Sequence, residues 1–136
     1  MSMFNVYEDS VEELLKNEIG YCPGWHDLIR EAFKKLLYLA DLFNMEEINI
    51  CQIKEKFGGL RLYLDFLPTD NNEEIGTMQV QIMQSILDIA ESRSLNVCQN
   101  TGKYGKLRDV NGWVMTLCDE EYEKVINKLG MKNGKS

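Results

Sequence analysis

Three cations flank a glycine-containing turn in the middle of the chain. Lys54, Lys56 and Arg61 surround the segment Phe57-Gly58-Gly59, in a protein whose net charge is −7. Cations beside exposed backbone N–H groups can bind a phosphate or a carboxylate. Tyr63 follows Arg61 at the spacing that places both on one face of a strand. Lys54, Lys56, Phe57, Gly58, Gly59, Arg61 and Tyr63 are therefore the candidate anion-binding residues of the chain.

A structural role for the same segment competes with binding and is the interpretation that the sequence favours. In that interpretation the glycines form the turn, Phe57 packs inside, and the cations pair with Glu55, Asp65 or acids on helices. The segment is not a phosphate-binding P-loop, because it lacks the glycine spacing and the Lys-Ser/Thr that opens a helix.

Two cysteines near the C-terminus have the spacing of a treble-clef zinc module. Such a module has two ligands in a knuckle, then a hairpin, then two ligands in the first turn of a helix. Here the four positions hold Cys98, Thr101, Cys118 and Glu121. Threonine is a poor zinc ligand, and glutamate rarely replaces Cys or His in a structural site. We expect no cofactor and two buried apolar cysteines, with zinc bound by Cys98, Cys118 and Glu121 as the alternative.

One cysteine and the only histidine are close in sequence. Cys22 precedes His26 by four residues, and a cysteine beside a base is the arrangement used in nucleophilic catalysis. Proximity in sequence does not orient such a pair, and no pair of carboxylates stands out elsewhere. Asp119 is interpreted as a helix cap. The expectation is a protein that is not an enzyme.

Length and composition indicate one ordinary globular domain. The chain has 136 residues, of which 44% are hydrophobic and 27% charged. We expect one domain over residues 1–136, with about 1–9 and 131–136 frayed. No apolar run reaches the ~18 residues of a membrane helix, and residues 1–10 do not resemble a signal peptide. The expectation is a cytoplasmic protein without membrane contact, whose cysteines are thiols.

The net negative charge indicates which class of partner the protein binds. A net charge of −7 disfavours broad binding to phosphate backbones, so a protein partner is expected in preference to a nucleic acid. A local basic face is compatible with that charge. The nucleic-acid alternative joins the turn to the C-terminal module through Lys54, Lys56, Arg61, Lys103, Lys106 and Arg108.

Hydrophobic periodicity and turn signals predict the elements that hold these residues. The first half reads as a helix capped by Ser10 and ended by Gly20, a long helix over 25–43, and strands over 48–54 and 60–66. A bulge is expected in the first of these strands, and the turn at 57–59 joins them.

The second half is predicted to open on a long helix. Asn71 or Asn72 caps it, it ends at about residue 92, and its buried face is Ile75, Met78, Ile82, Met83, Ile86, Leu87 and Ala90. A short strand over 95–98, a hairpin around Asn111-Gly112 and a helix over 120–129 follow. The fold class is therefore α+β: a small antiparallel sheet of two hairpins packed with three to four helices, its C-terminal half treble-clef-like without a complete metal site.

Three stretches resemble a family of small phage- and prophage-associated bacterial proteins. Residues 52–63 read QIKEKFGGLRLY, similar to the family's KEKFGGLRFY segment; the others are 90–98 and 112–118. The resemblance covers roughly residues 25–122. Many family members carry a full set of Cys and His ligands, from which this chain departs at Thr101 and Glu121. The resemblance implies a fold and a mobile-element origin, and it implies no particular activity.

These observations favour a non-catalytic protein-binding module of mobile-element type. An inhibitor, an immunity-like protein or an anti-defence factor would act by protein–protein contact. The nucleic-acid-binding module with a local basic face is the alternative.

Overall fold

The computed structural model describes residues 8–130, and their side chains from residue 11 onward. It has four helices and two antiparallel hairpins, the predicted α+β class. The elements in chain order are α1 Glu8–Ile19, a 3-10 turn Pro23–Trp25, α2 His26–Leu42, β1 Glu47–Lys56, β2 Gly59–Leu67, α3 Glu73–Ser94, β3 Lys106–Val110, β4 Trp113–Leu117 and α4 Asp119–Lys128. Of the segments expected to fray, residues 8 and 9 belong to α1, and the rest lie outside the described residues.

The first hairpin contains both the predicted bulge and the predicted turn. Ile50 pairs with Leu64 and Gln52 with Tyr63, so Cys51 is the extra residue of a bulge. Lys56 pairs with Gly59, which leaves a loop of two residues, Phe57 and Gly58. Both have positive φ, 54° and 80°, as a type I′ turn requires. Gly59 is thus the first residue of β2 and not part of the loop.

The main core lies between the inner face of this hairpin and helices α1, α2 and α3. Alternate residues of β2 point inward, as predicted, and pack with the large side chains of the helices. Fully buried members include Leu15, Trp25, Phe33, Ile53, Leu60 and Leu87.

Helix α3 also protects the free edge of β2. The Leu60 N–H donates to Ser94 Oγ at 2.9 Å, and the Leu62 N–H donates to Glu91 Oε2 at 2.7 Å. An edge strand with unpaired N–H groups would otherwise be open to pairing with another chain. These bonds also place the end of α3 at Ser94, two residues beyond the predicted end.

Four local predictions were wrong. Helix α1 already includes Glu8, so Ser10 lies inside it. The strand over 95–98 is only a bridge between Val97 and Tyr104, because the chain turns at once into the knuckle. Cys118, not Asp119, is the N-cap of α4; the Asp119 carboxylate instead accepts from Arg108 Nη2 at 2.5 Å.

The fourth error concerns the buried face of α3. Met83, Leu87 and Ala90 are buried as predicted, but Ile75, Met78 and Ile82 are exposed. The helix carries two adjacent apolar faces, and a helix on a two-stranded sheet buries only one of them.

The C-terminal module has the order knuckle, hairpin and helix. Its small core comprises Cys98, Leu117 and Cys118, with Met115, Tyr122 and Val125 packed against it. Two contacts fix the knuckle to the 3-10 turn. The Gly24 N–H donates to the Gln99 carbonyl at 2.8 Å, and Trp25 Nε1 donates to the Val97 carbonyl at 2.8 Å.

Candidate functional site

The first hairpin presents the predicted binding residues on its outer face. Ile53 and Leu62 form a buried cross-strand pair. Because side chains alternate along a strand, the neighbouring pairs point outward: Lys54 opposite Arg61, Gln52 opposite Tyr63, and Lys56 opposite Gly59. The structure thus brings the three cations and Tyr63 together. We call Lys54, Lys56, Arg61 and Tyr63, with Phe57 at the loop, the outer hairpin face.

Like charges lie directly opposite each other on this face. Lys54 and Arg61 are cross-strand partners, an arrangement that destabilises a sheet unless a counter-charge is present. In the described part of the chain, no carboxylate lies within the 4.0 Å ion-pair distance of Lys54, Lys56 or Arg61. The face therefore lacks an internal anion.

The acids expected to neutralise these cations have other partners. Glu55 Oε2 accepts from the Gly58 N–H at 2.8 Å, and Asp65 Oδ2 accepts from Cys51 Sγ at 3.4 Å. The lysines lean over aromatic rings instead. Lys54 Nζ is 5.8 Å from the centre of the Tyr63 ring, and Lys56 Nζ is 5.7 Å from that of Phe57. The ion pairs of the structural interpretation are absent from residues 8–130.

Phe57 is both exposed and conformationally unfavourable. It is 72% exposed and has a φ of 54°, a region that bulky residues rarely occupy. Asn-Gly or Gly-Gly would suit the same type I′ turn better. The structural interpretation required Phe57 to pack inside, and the exposed ring does not do so. Strained residues of this kind concentrate at functional sites.

Gly58 has a structural role in the same loop. A Cβ at this position would lie 2.8 Å from Leu107 Cδ2 and 3.2 Å from Val114 Cγ1. The Gly58 carbonyl accepts a hydrogen bond of 2.6 Å from Thr116 Oγ1. The loop is therefore seated against the second hairpin, and Phe57 is its exposed residue. Sequence reasoning missed Thr116, because a threonine in a short strand gives no signal of so distant a partner.

Two cations of the C-terminal module pair with acids, so they add no free positive charge to the outer hairpin face. Lys103 Nζ is 3.6 Å from Glu120 Oε1. Arg108 pairs with Asp119 at 2.5 Å and lies 4.5 Å from the centre of the Tyr122 ring. Of the six cations in the nucleic-acid alternative, these two are neutralised by acids of α4.

The treble-clef positions converge only in part. The knuckle closes through the Cys98 N–H, which donates to the Lys103 carbonyl at 2.7 Å. Thr101 Oγ1 lies 3.8 Å from Cys118 Sγ. Glu121, in contrast, accepts from Asn100 Nδ2 at 3.0 Å and from a lysine of its own helix. The described residues contain no group of three or more His, Cys, Asp or Glu placed to hold a metal ion.

Polar groups of the knuckle and of the start of α4 surround the Cys98 thiol. Burial of the Cys98 thiol opposes its ionisation. The hydroxyl of Thr101 and the backbone N–H groups of Cys118, Asn100 and Thr101 outweigh that effect, so the pKa of Cys98 is lowered. These bonds join the knuckle to the start of α4, as shared ligands do in a zinc-bound module.

Cys22 and His26 do not form a nucleophile and base. Cys22 is fully buried, and burial, with a smaller contribution from the Glu55 charge, raises the pKa of its thiol to about 12. His26 Nε2 donates to the Ile19 carbonyl at 3.2 Å. The histidine therefore holds the end of α1, and the cysteine stays protonated near neutral pH.

The chain matches no protein-family model, no curated protein and no solved structure. Across residues 8–130, no helix combines the length and apolar character needed to cross a membrane. Function is therefore inferred from the geometry of the outer hairpin face.

Proposed function

We propose that the protein is a non-catalytic binding protein whose outer hairpin face engages an acidic surface of a partner protein. The observation that carries this proposal is the cross-strand pairing of the half-buried Lys54 and Arg61, with no carboxylate of the described residues within ion-pair distance of either. A carboxylate from a partner would relieve their repulsion and form charge-assisted hydrogen bonds with both. The binding free energy would thus include the removal of an unfavourable interaction in the free protein.

The aromatic residues of the face support a protein partner. Tyr63 is 43% exposed, and Phe57 more so. Tyr, Phe and Arg are enriched in the cores of protein interfaces, and Lys is typical of the rim. Phe57 lies on a loop whose backbone is fixed against the second hairpin, so its ring would enter a partner pocket without a backbone rearrangement. The outer hairpin face thus combines aromatic side chains suited to the core of an interface with lysines suited to its rim.

Within this class we favour an inhibitor, an immunity-like protein or an anti-defence factor of a mobile element. The segment that resembles the phage- and prophage-associated family, residues 52–63, is the one that forms the face. Small size and a net charge of −7 fit a protein that acts by occupying another protein's surface.

Photo-crosslinking in the native host cells tests the proposal. The photoreactive residue p-benzoylphenylalanine replaces Tyr63 on the face or, as a control, Tyr104, which is also a tyrosine and is more exposed. We expect one discrete protein adduct from position 63 that persists after nuclease treatment and is lost in Lys54→Glu. Adducts of equal yield from both positions, or none from position 63, would contradict the proposal.

Nucleic-acid binding is the second candidate, favoured by cations interleaved with exposed rings. Such a surface can hold a single strand by stacking and phosphate contacts. Lys54, Lys56 and Arg61 would neutralise about three phosphates, so the affinity would fall with salt at a slope of about −2 to −3. A position-63 adduct that disappears with nuclease would support this candidate over a protein partner.

A further inference from the structure

A row of apolar side chains, most of them exposed, runs along α3, and its C-terminal part borders α2. Ile75, Met78, Ile82 and Ile89 are 43%, 55%, 45% and 54% exposed, and Ile86 is half-buried between Ile82 and Ile89. Their steps of three and four residues place them on one helix face. From Ile75 to Ile89 the row is about 21 Å long at 1.5 Å per residue. We call these five residues the α3 row.

The neighbouring helix α2 widens this apolar surface. Tyr38 and Leu39 line a shallow groove together with Ile86, and Tyr38 is 71% exposed. Single exposed apolar residues are normal on a protein surface, but a contiguous set marks an interaction site. The outer hairpin face contains none of these residues, so the row is a separate surface.

The two ends of the row carry opposite charges. Acidic residues precede and begin α3: Asp70, Glu73 and Glu74. At its other end lies Arg93, which shares the carboxylate of Glu31 with Lys35 of α2. A surface with an acidic end and a basic end is complementary to itself when a second copy is turned end for end.

We propose that the α3 row binds a second copy of this chain, forming an antiparallel two-fold dimer centred on Ile82. Such an interface is self-complementary, because each contact occurs twice about the axis. Centring on Ile82 sets Ile75 opposite Ile89 and Met78 opposite Ile86 of the other copy. The apolar row is then covered along its whole length.

Charge complementarity favours a second copy over an unrelated helix. The same antiparallel arrangement brings Arg93 of each copy to the acidic start of the other α3, near Glu74. Two opposite-charge contacts form at the ends, and like charges are kept apart. A parallel pairing would set acid against acid and Arg93 against Arg93.

Sedimentation equilibrium of the full chain tests the assembly. We expect a concentration-dependent mass approaching twice the chain mass of 15.8 kDa. Ile82→Glu places two carboxylates at the axis, and we expect it to weaken association at least about 100-fold. Leu129→Glu, at a similarly exposed apolar residue of the C-terminal module, should leave the mass unchanged. A monomer at hundreds of micromolar, with a native circular dichroism spectrum, would overturn the proposal.

Cross-linking through the axis tests its geometry. In a Cys51→Ser background, which removes the exposed cysteine, Ile82→Cys should give a disulfide-linked dimer on mild oxidation. Asp88→Cys, exposed on another face of α3, should not. A cross-link of equal yield at position 88 would refute the antiparallel arrangement.

A charge exchange identifies the partner as a second copy. Glu74→Lys and Arg93→Glu should each weaken association, because each sets like charges at both ends. The double variant should restore it, because the opposite-charge contacts re-form. If the double variant is weaker than both single variants, the two residues are not partners and the arrangement is wrong.

Discussion

Thr116 Oγ1 donates a buried hydrogen bond of 2.6 Å to the carbonyl of Gly58, 58 residues earlier in the chain. This bond joins the loop of the first hairpin to strand β4 of the second. It fixes the two-residue loop so that Gly58 faces inward and Phe57 faces outward. The outer hairpin face thus depends on the C-terminal module for the position of its aromatic tip.

Removal of the Thr116 hydroxyl should destabilise the protein. Thr116→Val keeps the side-chain volume and leaves the Gly58 carbonyl buried without this donor. The expected loss in free energy of unfolding is about 1–3 kcal/mol. Urea denaturation measures it, with Thr77→Val on the exposed side of α3 as the control, expected within about 0.5 kcal/mol of wild type. Equal effects of both substitutions would show that the bond contributes nothing.

A matched pair of glycine substitutions separates backbone strain from packing. Gly58 and Gly112 both have positive φ, 80° and 89°, so alanine costs about 1–2 kcal/mol at either position. Only at Gly58 would the new Cβ meet other atoms, the nearest at 2.8 Å; at Gly112 none lies within 4 Å. Gly58→Ala should therefore lower the unfolding free energy more than Gly112→Ala in the same denaturation assay. The reverse order would contradict the seating of the loop on β3 and β4.

Phe57→Asn should make the protein more stable and a weaker binder. Asparagine tolerates the positive φ that Phe57 adopts, and little burial is lost because the ring is exposed. We expect thermal unfolding to indicate a gain of about 0.5–1 kcal/mol. The photo-crosslink from position 63 should weaken in the same variant. Loss of stability with unchanged cross-linking would assign Phe57 a structural role.

The Cys22 thiol should make stability fall at alkaline pH. Its pKa is raised from an ordinary 9.0 to about 12 by burial, so the folded state holds the proton more tightly than the unfolded chain. The resulting stability is complete below pH 9 and is lost as the pH rises toward 12. The difference in unfolding free energy between wild type and Cys22→Ala should shrink by about 2 kcal/mol from pH 8 to pH 10.5. A difference that is constant with pH would contradict the raised pKa.

Local patterns predicted most of the elements but not their partners. The spacing of Phe57 and the following glycines indicated a hairpin, because a tight turn is specified by the residues within it. That Phe57 is exposed and that the nearby cations lack carboxylates depends on contacts across the fold. Sequence periodicity likewise marked Ile75, Met78 and Ile82 as apolar, but it cannot say which of two apolar helix faces meets the sheet.

The four treble-clef positions were likewise predicted only in part. The spacing of Cys98, Thr101 and Cys118 predicted that a knuckle would meet the start of a helix, and these residues do meet. Glu121 lies at the fourth position, yet it turns to Asn100. The spacing of residues does not specify the hydrogen-bond partner of a side chain, which depends on the groups that the fold places beside it.

An NMR titration of the uniformly 15N-labelled protein with a deca-glutamate peptide tests the binding face most directly. At about 0.1 M salt the Debye length is about 10 Å. Repulsion between the peptide and distant acids of the protein is therefore screened, whereas its direct contacts with the cations of the face are retained. We predict chemical-shift changes concentrated on β1 and β2 around Lys54, Lys56 and Arg61, abolished in Lys54→Glu/Arg61→Glu. Changes centred on Lys34 or Lys128, which form no ion pair within residues 8–130, or no changes at millimolar peptide, would contradict the account.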